Sequence, residues 1–280
     1  MIRTVGARLP GLMLSKPVLP AFRYASTTPS KRKVPKSGDI SQVPLNFIGV
    51  MADFYIPPRF RDCPPSSWHK LIFRRLGAFV VNTYSIIKYR RETGLKLHFN
   101  EWKDNAIDLF VKTNKIFASG CSKRFAEREQ YLKKQLGQVS CVEVTNSLVS
   151  RAKTFPTDSK LQWELLSLES NPKVVSFNVL PDANEITMYI QFVLKARTKQ
   201  KVIIERGGES QETVRTVQDY LVYTLNPYTG EMYLAGTLFE SDHIRKVTPD
   251  EKFTNVKYMM AFTKASGDIY RENPKKIGSN

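Results

Sequence analysis

The chain has 280 residues, a length that predicts one or two domains. Hydrophobic residues make up 41% of it, which is enough for a packed core and excludes a chain that is disordered throughout. The 43 Lys+Arg outnumber the 26 Asp+Glu, so the formal net charge is +17. This excess predicts an anionic partner, nucleic acid or anionic lipid, or else a surface that is basic throughout. The longest stretch without a charged residue, Ile40–Ala52, has 13 residues, whereas a transmembrane helix needs roughly 20.

The first 38 residues are rich in basic and hydroxyl-bearing residues and contain no acidic one. This composition is typical of a mitochondrial transit peptide, with a disordered basic tail as the alternative. Arg23, Tyr24 and Ala25 resemble the Arg-x-Tyr pattern at which the matrix processing peptidase cuts, so we expect residues 1–24 to be removed. Residues 25–45 hold Ser, Thr, Pro and Lys, a composition that predicts a flexible tether.

A proline-free run over residues 66–91 predicts a basic amphipathic helix that begins at Ser66 or Ser67. At 100° per residue its apolar face comprises Phe73, Leu76, Val80, Tyr84 and Ile87, widened by Ile72, Phe79 and Ile86. Two alternatives follow: this helix lies in a membrane interface, or its apolar face packs on the protein core. The residues that would contact anionic headgroups are Lys70, Arg74, Arg75, Lys88, Arg90 and Arg91.

Helical periodicity continues through the first half of the chain. A second helix is predicted from Phe99, or from Asn100 as its cap, to Gly120, followed by helices over 122–136 and 141–154. A last helix is expected after the capping box of Thr248 and Glu251.

From Lys160 onward the hydrophobic period changes to two, which predicts strands. The expected strands are Leu161–Leu165, Val175–Val179, Ile186–Leu194, Val202–Ile204, Gln218–Leu225 and Met232–Phe239. Residues 226–230 are predicted to form the hairpin connection between the last two strands. Helices followed by antiparallel strands indicate an α+β fold, with N-terminal helices packed on one curved antiparallel sheet.

No catalytic or cofactor-binding motif is recognisable in the sequence. It contains no Gly-x-Gly-x-x-Gly, Walker A, His-Glu-x-x-His or Gly-x-Ser-x-Gly pattern. Its three cysteines are too few and too far apart for a disulfide framework or a Cys-x-x-Cys metal site. We therefore expect a binding protein without catalytic residues, metal or cofactor; an enzyme with a dispersed site is the alternative.

One group of basic residues is spaced more regularly than the rest. In an extended chain Lys195, Arg197, Lys199 and Lys201 point the same way, about 6.6 Å apart, near the phosphate spacing of a nucleic-acid strand. The alternative is a hairpin tip whose lysines only keep a sheet edge soluble. A second basic surface is predicted on the third helix, at Lys123, Arg124, Arg128, Lys133 and Lys134.

Five segments, spread over residues 46–272, resemble the fungal Mba family of mitochondrial inner-membrane ribosome receptors. They are Gly49–Pro57, Phe99–Asp108, Leu161–Leu165, Gly236–Ser241 and Gly267–Arg271. The family is related to the membrane-anchor domain of the matrix import motor and to an animal mitochondrial large-subunit ribosomal protein. The resemblance implies a single cystatin-like α+β domain, a cone like that of the motor anchor, over 46–272, followed by a tail at 273–280.

The same resemblance implies a function and a location. A family member would be peripheral on the matrix side of the mitochondrial inner membrane, held by anionic lipid such as cardiolipin. It would bind rRNA and proteins of the large ribosomal subunit near the tunnel exit and align the ribosome with the Oxa-type insertase. Nascent membrane proteins would then be inserted cotranslationally. The alternative within the same resemblance is a constitutive structural protein of the mitochondrial large subunit.

Overall fold

A computed structural model describes residues 40–274 of the chain. The predicted transit peptide, its cleavage site at Arg23, Tyr24 and Ala25, the tether up to residue 39 and the tail from residue 275 lie outside the described residues. Within the described part, the ordered chain begins earlier than predicted. Residues 40–42 form a 3-10 turn, and Leu45, expected at the end of the tether, is buried against Leu180 and Tyr189.

The described residues form five α-helices and one antiparallel four-stranded sheet. The helices are α1 Trp68–Thr93, α2 Phe99–Cys121, α3 Phe125–Leu136, α4 Val142–Thr154 and α5 Val256–Ser266. The strands are β1 Ser159–Pro181, β2 Thr187–Arg206, β3 Glu209–Leu225 and β4 Met232–Leu238, in the spatial order β1-β2-β3-β4. The α+β class is confirmed, whereas the closer comparison with a cystatin-like cone stays a prediction.

Three strands are longer than their hydrophobic patterns predict, since β3 begins at Glu209 rather than at Gln218 and β1 and β2 each contain two predicted segments. The segments expected at Leu161–Leu165 and Val175–Val179 belong to β1, which continues between them through several register shifts. The segments expected at Ile186–Leu194 and Val202–Ile204 are likewise parts of β2. The intervening residues are polar and do not alternate in hydrophobicity, but their backbones still pair with a neighbouring strand. The strands β1, β2 and β3 therefore form a long three-stranded ribbon that continues through these polar stretches, and at its far end Leu161, Leu165 and Val202 again pack against the core.

Two predicted helix caps are wrong, whereas the alternative start of the second helix at Phe99 is confirmed. Asn100 lies inside α2, whose N-cap residue is His98, because the helical conformation already begins at Phe99. The expected capping box at Thr248 and Glu251 does not start α5. A 3-10 turn occupies Glu251–Thr254, and the Asn255 side chain caps α5 by accepting a hydrogen bond from the Lys257 amide at 3.0 Å.

The main core lies between the inner face of the sheet and helices α2, α3 and α4. Trp102 of α2 is at its centre, because its ring stacks between Phe177 of β1 and Phe192 of β2, at centroid distances of 6.5 and 6.4 Å. Tyr89 is the main side chain of α1 in this core, and its ring meets those of Trp102 and Phe177 edge-on. Helix α1 is therefore joined to the core near its C-terminal end.

The outer face of the sheet is covered only in part. The segment before α1 crosses it, and Val50, Phe54 and Ile56 pack against Val193 and Val222. The buried Gln191 side chain of β2 fixes this segment by accepting a hydrogen bond from the Met51 amide at 3.0 Å and donating one to the Gly49 carbonyl at 2.9 Å. This cover ends where β2 reaches Lys195, so the outer face of the ribbon beyond it is open to solvent.

Side chains and a short parallel bridge cover parts of both edges of the sheet. On β1, Asn82 of α1 donates to the Val175 carbonyl and accepts from the Phe177 amide, both at 3.1 Å. Farther along β1, the hydroxyl of Ser122 accepts a hydrogen bond from the Leu161 amide at 3.2 Å. On β4, the chain around Ser140 forms a parallel bridge with Leu234.

Candidate nucleic-acid and membrane surfaces

The four basic residues predicted as a ribosome contact share the outer face of β2. Strand alternation turns Ala196, Thr198 and Gln200 into the protein, where they are buried, and turns the basic residues between them outward. Successive basic side chains are two residues apart, or about 6.6 Å in extended backbone. We call this set, Lys195, Arg197, Lys199 and Lys201, the basic row.

The alternative that these residues form a hairpin tip is wrong. β2 is an inner strand of the sheet, paired with β1 on one side and β3 on the other, and the β2–β3 turn lies farther on, at Gly207-Gly208. Because the row lies along the body of an inner strand, it does not protect an edge. Its side chains cross the middle of an exposed sheet face.

The centre of the row has no acidic residue directly across from it. Arg197 lies opposite Ser170 of β1 and Gln218 of β3, and Lys199 lies opposite Ser167 and Thr216. The hydroxyl groups of Ser167, Ser170 and Thr216 therefore flank these cations, and hydroxyl groups also donate hydrogen bonds to phosphate oxygens. Both cations are exposed.

The distal end of the row is compensated by an acidic residue. Lys201 forms an ion pair with Glu212 of β3, with Nζ and Oε1 2.9 Å apart. Its partner across β1 is Glu164, a second carboxylate. The excess positive charge of the row is therefore concentrated at Lys195, Arg197 and Lys199.

A hydrogen-bonded network lies beside the proximal end of the row. Tyr220, opposite Lys195, donates from its hydroxyl to Glu240 Oε1 at 2.6 Å. Gln218 donates to the same hydroxyl at 2.9 Å and to Glu240 Oε1 at 3.2 Å. Arg59, from the segment before α1, donates to Gln218 Oε1, and its Nε is 3.7 Å from Glu240 Oε1. The network holds the Arg59 guanidinium over the sheet face next to Lys195 and Arg197.

Helix α1 turns its apolar face to solvent. Phe73 is 71% exposed, and every residue of the predicted apolar face except Ile86 is more than half exposed. The large apolar side chains exposed on this helix are Trp68, Ile72, Phe73, Leu76, Phe79, Val80, Val81, Tyr84 and Ile87. Only Leu71, Ser85 and Tyr89 of α1 are buried. The alternative that the apolar face packs on the core is therefore wrong.

Three of the six predicted headgroup contacts are held by the protein itself. Arg74 donates to the carbonyls of His243 and Ile244, the latter at 3.1 Å. Arg75 donates to the Pro58 carbonyl at 2.6 Å and lies over the Phe60 ring. Lys88 is half-buried, with its Nζ 3.8 Å from Glu92.

The other three predicted contacts, Lys70, Arg90 and Arg91, are exposed. At 100° per residue, Arg91 has the same angle as Phe73 and Arg90 the same as Ile72, so both lie on the side of the apolar face in the last turn of α1. No helix within residues 40–274 is both long enough and apolar enough to cross a membrane.

The segments that carry the family resemblance have structural roles in the described part. Gly236 has φ 155°, and a Cβ there would lie 2.3 Å from the Ser266 carbonyl oxygen, so only glycine allows α5 to approach β4 this closely. Asp268 accepts two hydrogen bonds from Arg151 of α4, each at 2.7 Å. Trp163 donates from Nε1 to the buried Gln200 at 3.2 Å.

Comparison with known proteins supports the family resemblance that these segments carry. A family model described as "MBA1-like protein" matches residues 35–275. The chain belongs to the MBA1-like family. Its relatives include the "Inner membrane mitoribosome receptor MBA1, mitochondrial" of Saccharomyces cerevisiae, which is 30% identical over 256 residues. That match covers 89% of this chain and 87% of the yeast protein.

The second basic surface predicted for the MBA1-like chain is only partly present. Arg128 is 1% exposed, and its guanidinium donates to backbone carbonyls inside the protein. Lys133 is paired with Glu129 at 2.8 Å, and Lys153 is paired with the same carboxylate at 2.7 Å. Hydrogen bonds from these two lysines lower the pKa of Glu129. Of the five residues in this surface, Lys123, Arg124 and Lys134 are exposed, and no ion pair within residues 40–274 includes them.

Sequence reasoning missed one ionisable group of the MBA1-like chain. Asp219 of β3 faces inward beside a cavity of about 700 Å³ whose lining includes Gln200, Arg215 and Tyr270. Burial raises the pKa of Asp219 to about 6, and the positive charge of Arg215 opposes the shift. Within residues 40–274, no three His, Cys, Asp or Glu side chains are grouped so that they could hold a metal ion.

Proposed function

We propose that this protein is a peripheral receptor of the mitochondrial inner membrane that binds the mitochondrial ribosome on the matrix side. The family membership and the yeast relative, which is named as an inner-membrane mitoribosome receptor, support the class of function. The observation that carries the proposal for this chain is the exposed pair Arg197 and Lys199. Neither has an acidic residue opposite it, and both lie on an open sheet face.

The proposed ligand of the basic row is the phosphate backbone of rRNA in the large subunit, near the tunnel exit. Phosphate contacts from Lys and Arg supply affinity that does not depend on sequence, and neighbouring hydroxyl groups add hydrogen bonds. The face around Arg197 and Lys199 presents these groups. The only aromatic side chain opposite the row is Tyr220, which is buried, so the described face has no exposed platform for stacking unpaired bases.

The proposed membrane contact is the apolar face of α1. An amphipathic helix lies in the interface when its apolar side enters the acyl region and basic groups stay near the headgroups. In α1 those groups are Lys70, Arg90 and Arg91, whereas Arg74 and Arg75 bind carbonyls outside the helix and Lys88 pairs with Glu92 within it. Anionic lipid such as cardiolipin is the proposed surface. We expect alkaline carbonate to extract the protein, and its retention in the pellet would contradict peripheral attachment.

On this proposal, the receptor aligns the ribosome with the Oxa-type insertase, so that nascent membrane proteins are inserted cotranslationally. This step rests on the family resemblance. We further propose that residues 1–24 are a transit peptide, cleaved next to Tyr24. The folded domain at 46–272 would follow a tether and carry a short tail at 273–280.

The second candidate function is that of a constitutive structural protein of the large subunit, since a basic face suits either role. A sucrose gradient after high-salt washing of mitochondrial membranes separates the two. A receptor stays largely with the membrane when ribosomes are stripped, because α1 remains in the lipid. A structural subunit sediments with the ribosome instead.

Ribosome cosedimentation over a salt series tests the proposed ligand. The variant is Arg197→Gln with Lys199→Gln, and the matched control is Lys112→Gln with Lys115→Gln on the exposed side of α2. Both pairs remove two charges. We expect only the first pair to lower the slope of log affinity against log salt, by roughly 0.7 to 0.9 for each lost phosphate contact. Equal slopes in both variants, with unchanged circular dichroism, would place the ribosome contact elsewhere.

A further inference from the structure

We propose that Arg59 and Lys173 join Lys195 in a three-residue phosphate-binding cluster, placed across the strands at the α1 end of the basic row. The inference rests on the proposed ribosome-binding function and names two further binding residues for it. The cluster extends the basic surface across the strands, at a right angle to the row. The row follows one strand, whereas the cluster spans the width of three, or about 10 Å.

Lys173 and Lys195 are register partners on neighbouring antiparallel strands. Side chains that lie directly opposite each other share a face, and their Cβ atoms are about 5 Å apart. Like charges in this position destabilise a sheet. Lys173 is exposed, so nothing in the packing forces a cation to occupy this position. A bound anion is the partner that turns this repulsion into attraction.

Arg59 completes the cluster from the other side of Lys195. It is held by Gln218 and Glu240, and Gln218 is the direct partner of Arg197 on β3. The guanidinium therefore lies over β3, between the positions of Lys195 and Arg197. Its planar set of donors suits the oxygens of a phosphate better than a lysine would.

The only carboxylate in this network is already shared. Glu240 Oε1 accepts hydrogen bonds from the Tyr220 hydroxyl and from Gln218, and it also faces Arg59 at 3.7 Å. A single carboxylate thus faces the several positive charges of this site. The Tyr220 and Gln218 side chains act as positioning residues, because they orient Glu240 and Arg59 and point at no solvent-exposed ligand position themselves.

The charges around Lys195 act on its protonation. Its Nζ lies 5.6 Å from the centroid of the Tyr220 ring. Burial lowers the pKa of Lys195, and the positive charges of Arg59, Lys173 and Arg75 lower it further, against the opposing charge of Glu240. These groups come from the segment before α1, from β1, from α1 and from the chain after β4. A bound phosphate would favour the protonated form, so binding should be linked to pH.

The position of the cluster beside the basic row favours RNA phosphate as its ligand. Lys173 and Lys195 face outward with Arg197 and Lys199, so the cluster and the row form one continuous surface. A duplex RNA backbone laid along the row would bring a neighbouring phosphate over the cluster. A lipid headgroup is the competing ligand, because Arg75 joins the cluster to the N-terminal part of α1.

The experiment measures binding of the full chain to salt-washed mitochondrial large subunits at pH 7.5 and pH 9.0. The variants are Lys173→Gln, Arg59→Gln and Lys195→Arg, with Lys112→Gln as the control for a lost surface charge. We expect Lys173→Gln and Arg59→Gln each to weaken binding about fivefold to tenfold, and the control to change it less than twofold. Lys195→Arg should bind like the parent at pH 7.5 and lose less affinity at pH 9.0, because arginine stays charged.

The outcomes separate this inference from the proposed function. If the unmodified chain does not bind the subunits, the proposed function fails. If it binds, and only Arg197→Gln with Lys199→Gln weakens it while Lys173→Gln and Arg59→Gln match the control, the cluster is overturned and the row stands. If Lys173→Gln weakens binding to phosphatidylglycerol vesicles and leaves subunit binding unchanged, the cluster serves lipid and the inference is likewise overturned. Because Arg59 also holds the network, Arg59→Lys provides a folded variant that keeps the charge and should recover part of the affinity.

Discussion

Arg128 of α3 donates a hydrogen bond from Nη1 to the carbonyl oxygen of Ala152 in α4, at 3.0 Å. The same guanidinium also donates to the carbonyls of Lys123, Phe155 and Pro156. All four acceptors are backbone oxygens, so a buried positive charge is solvated by peptide dipoles rather than by a carboxylate. Two of them belong to the last turn of α4 and its cap, where the helix dipole favours a cation. Arg128 thereby joins α3, α4 and the approach to β1.

The first prediction follows from this arrangement. Arg128→Met removes the side-chain hydrogen bonds to four backbone carbonyls, and we expect it to lower the free energy of unfolding by about 3 kcal/mol. Urea denaturation followed by circular dichroism measures the change. Arg124→Met, on an exposed neighbour, is the control and should cost less than about 0.5 kcal/mol. Equal effects of the two substitutions would contradict the role given to Arg128.

The second prediction concerns the attachment of α1. Asn82→Ala removes the two hydrogen bonds to Val175 and Phe177, and we expect it to cost about 1 to 2 kcal/mol. The loss should be local, so amide hydrogen exchange should accelerate in α1 more than in α2. Asn105→Ala, at an exposed position of α2, is the matched control. Unchanged exchange in α1 would show that the remaining contacts, those of Arg74, Arg75 and Tyr89, suffice to hold the helix.

The third prediction concerns pH. The native pKa of Asp219, about 6, lies above its ordinary value of 3.8, so the native state binds more protons than the unfolded state between these values. Stability is therefore expected to fall as pH rises through this window and to stay lower above it. Asp219→Asn should stabilise the protein at pH 8 by about 1 to 2 kcal/mol and have little effect below pH 4. Denaturation at both pH values tests the sign, with Asp104→Asn as the control.

The fourth prediction concerns the membrane. Phe73→Gln with Val80→Gln removes two exposed apolar side chains from α1 without touching its anchors, so folding should be unaffected. We expect binding to vesicles that contain cardiolipin to weaken roughly tenfold to hundredfold, because less apolar surface is buried in the interface. Val256→Gln with Met260→Gln is the matched control on α5, where both side chains are equally exposed at 68%. Vesicle flotation measures the binding, and similar losses in both pairs would contradict a membrane contact specific to α1.

The sequence predicts the class of the fold and most of its elements because their periodicities are strong. Trp102 and the residues spaced around it belong to one helical stripe, and that stripe is the core. Alternation in β2 likewise predicts which side chains share a face, so the basic row could be found before the structure was known. Its place on an inner strand could not, because the polar stretch between Leu194 and Val202 looks like a break between two short strands.

Periodicity could not show which face of α1 meets the protein. A helix with Phe73, Leu76 and Val80 on one side is the usual pattern for core packing, but the structure buries the opposite side through Leu71, Ser85 and Tyr89. The decisive contacts are polar and distant in sequence, such as that of Asn82 with β1. Arg128 is a similar case, because an arginine in a charge-rich helix gives no local sign of burial. The cluster around Lys195 depends on strand register and on Arg59, which the sequence places 136 positions away.

Helix α1 has a further consequence for the sheet it lies against. β1 is an edge strand, and Asn82 occupies its hydrogen-bonding positions at Val175 and Phe177, while the register shifts of β1 interrupt the edge beyond them. An unprotected edge is a template on which foreign strands add and aggregation begins. Detaching α1 would uncover this stretch. Any treatment that frees the helix should therefore also allow extended polypeptides to pair with the edge of β1. Solubility of the fold and orientation of the helix are therefore maintained by the same side chain.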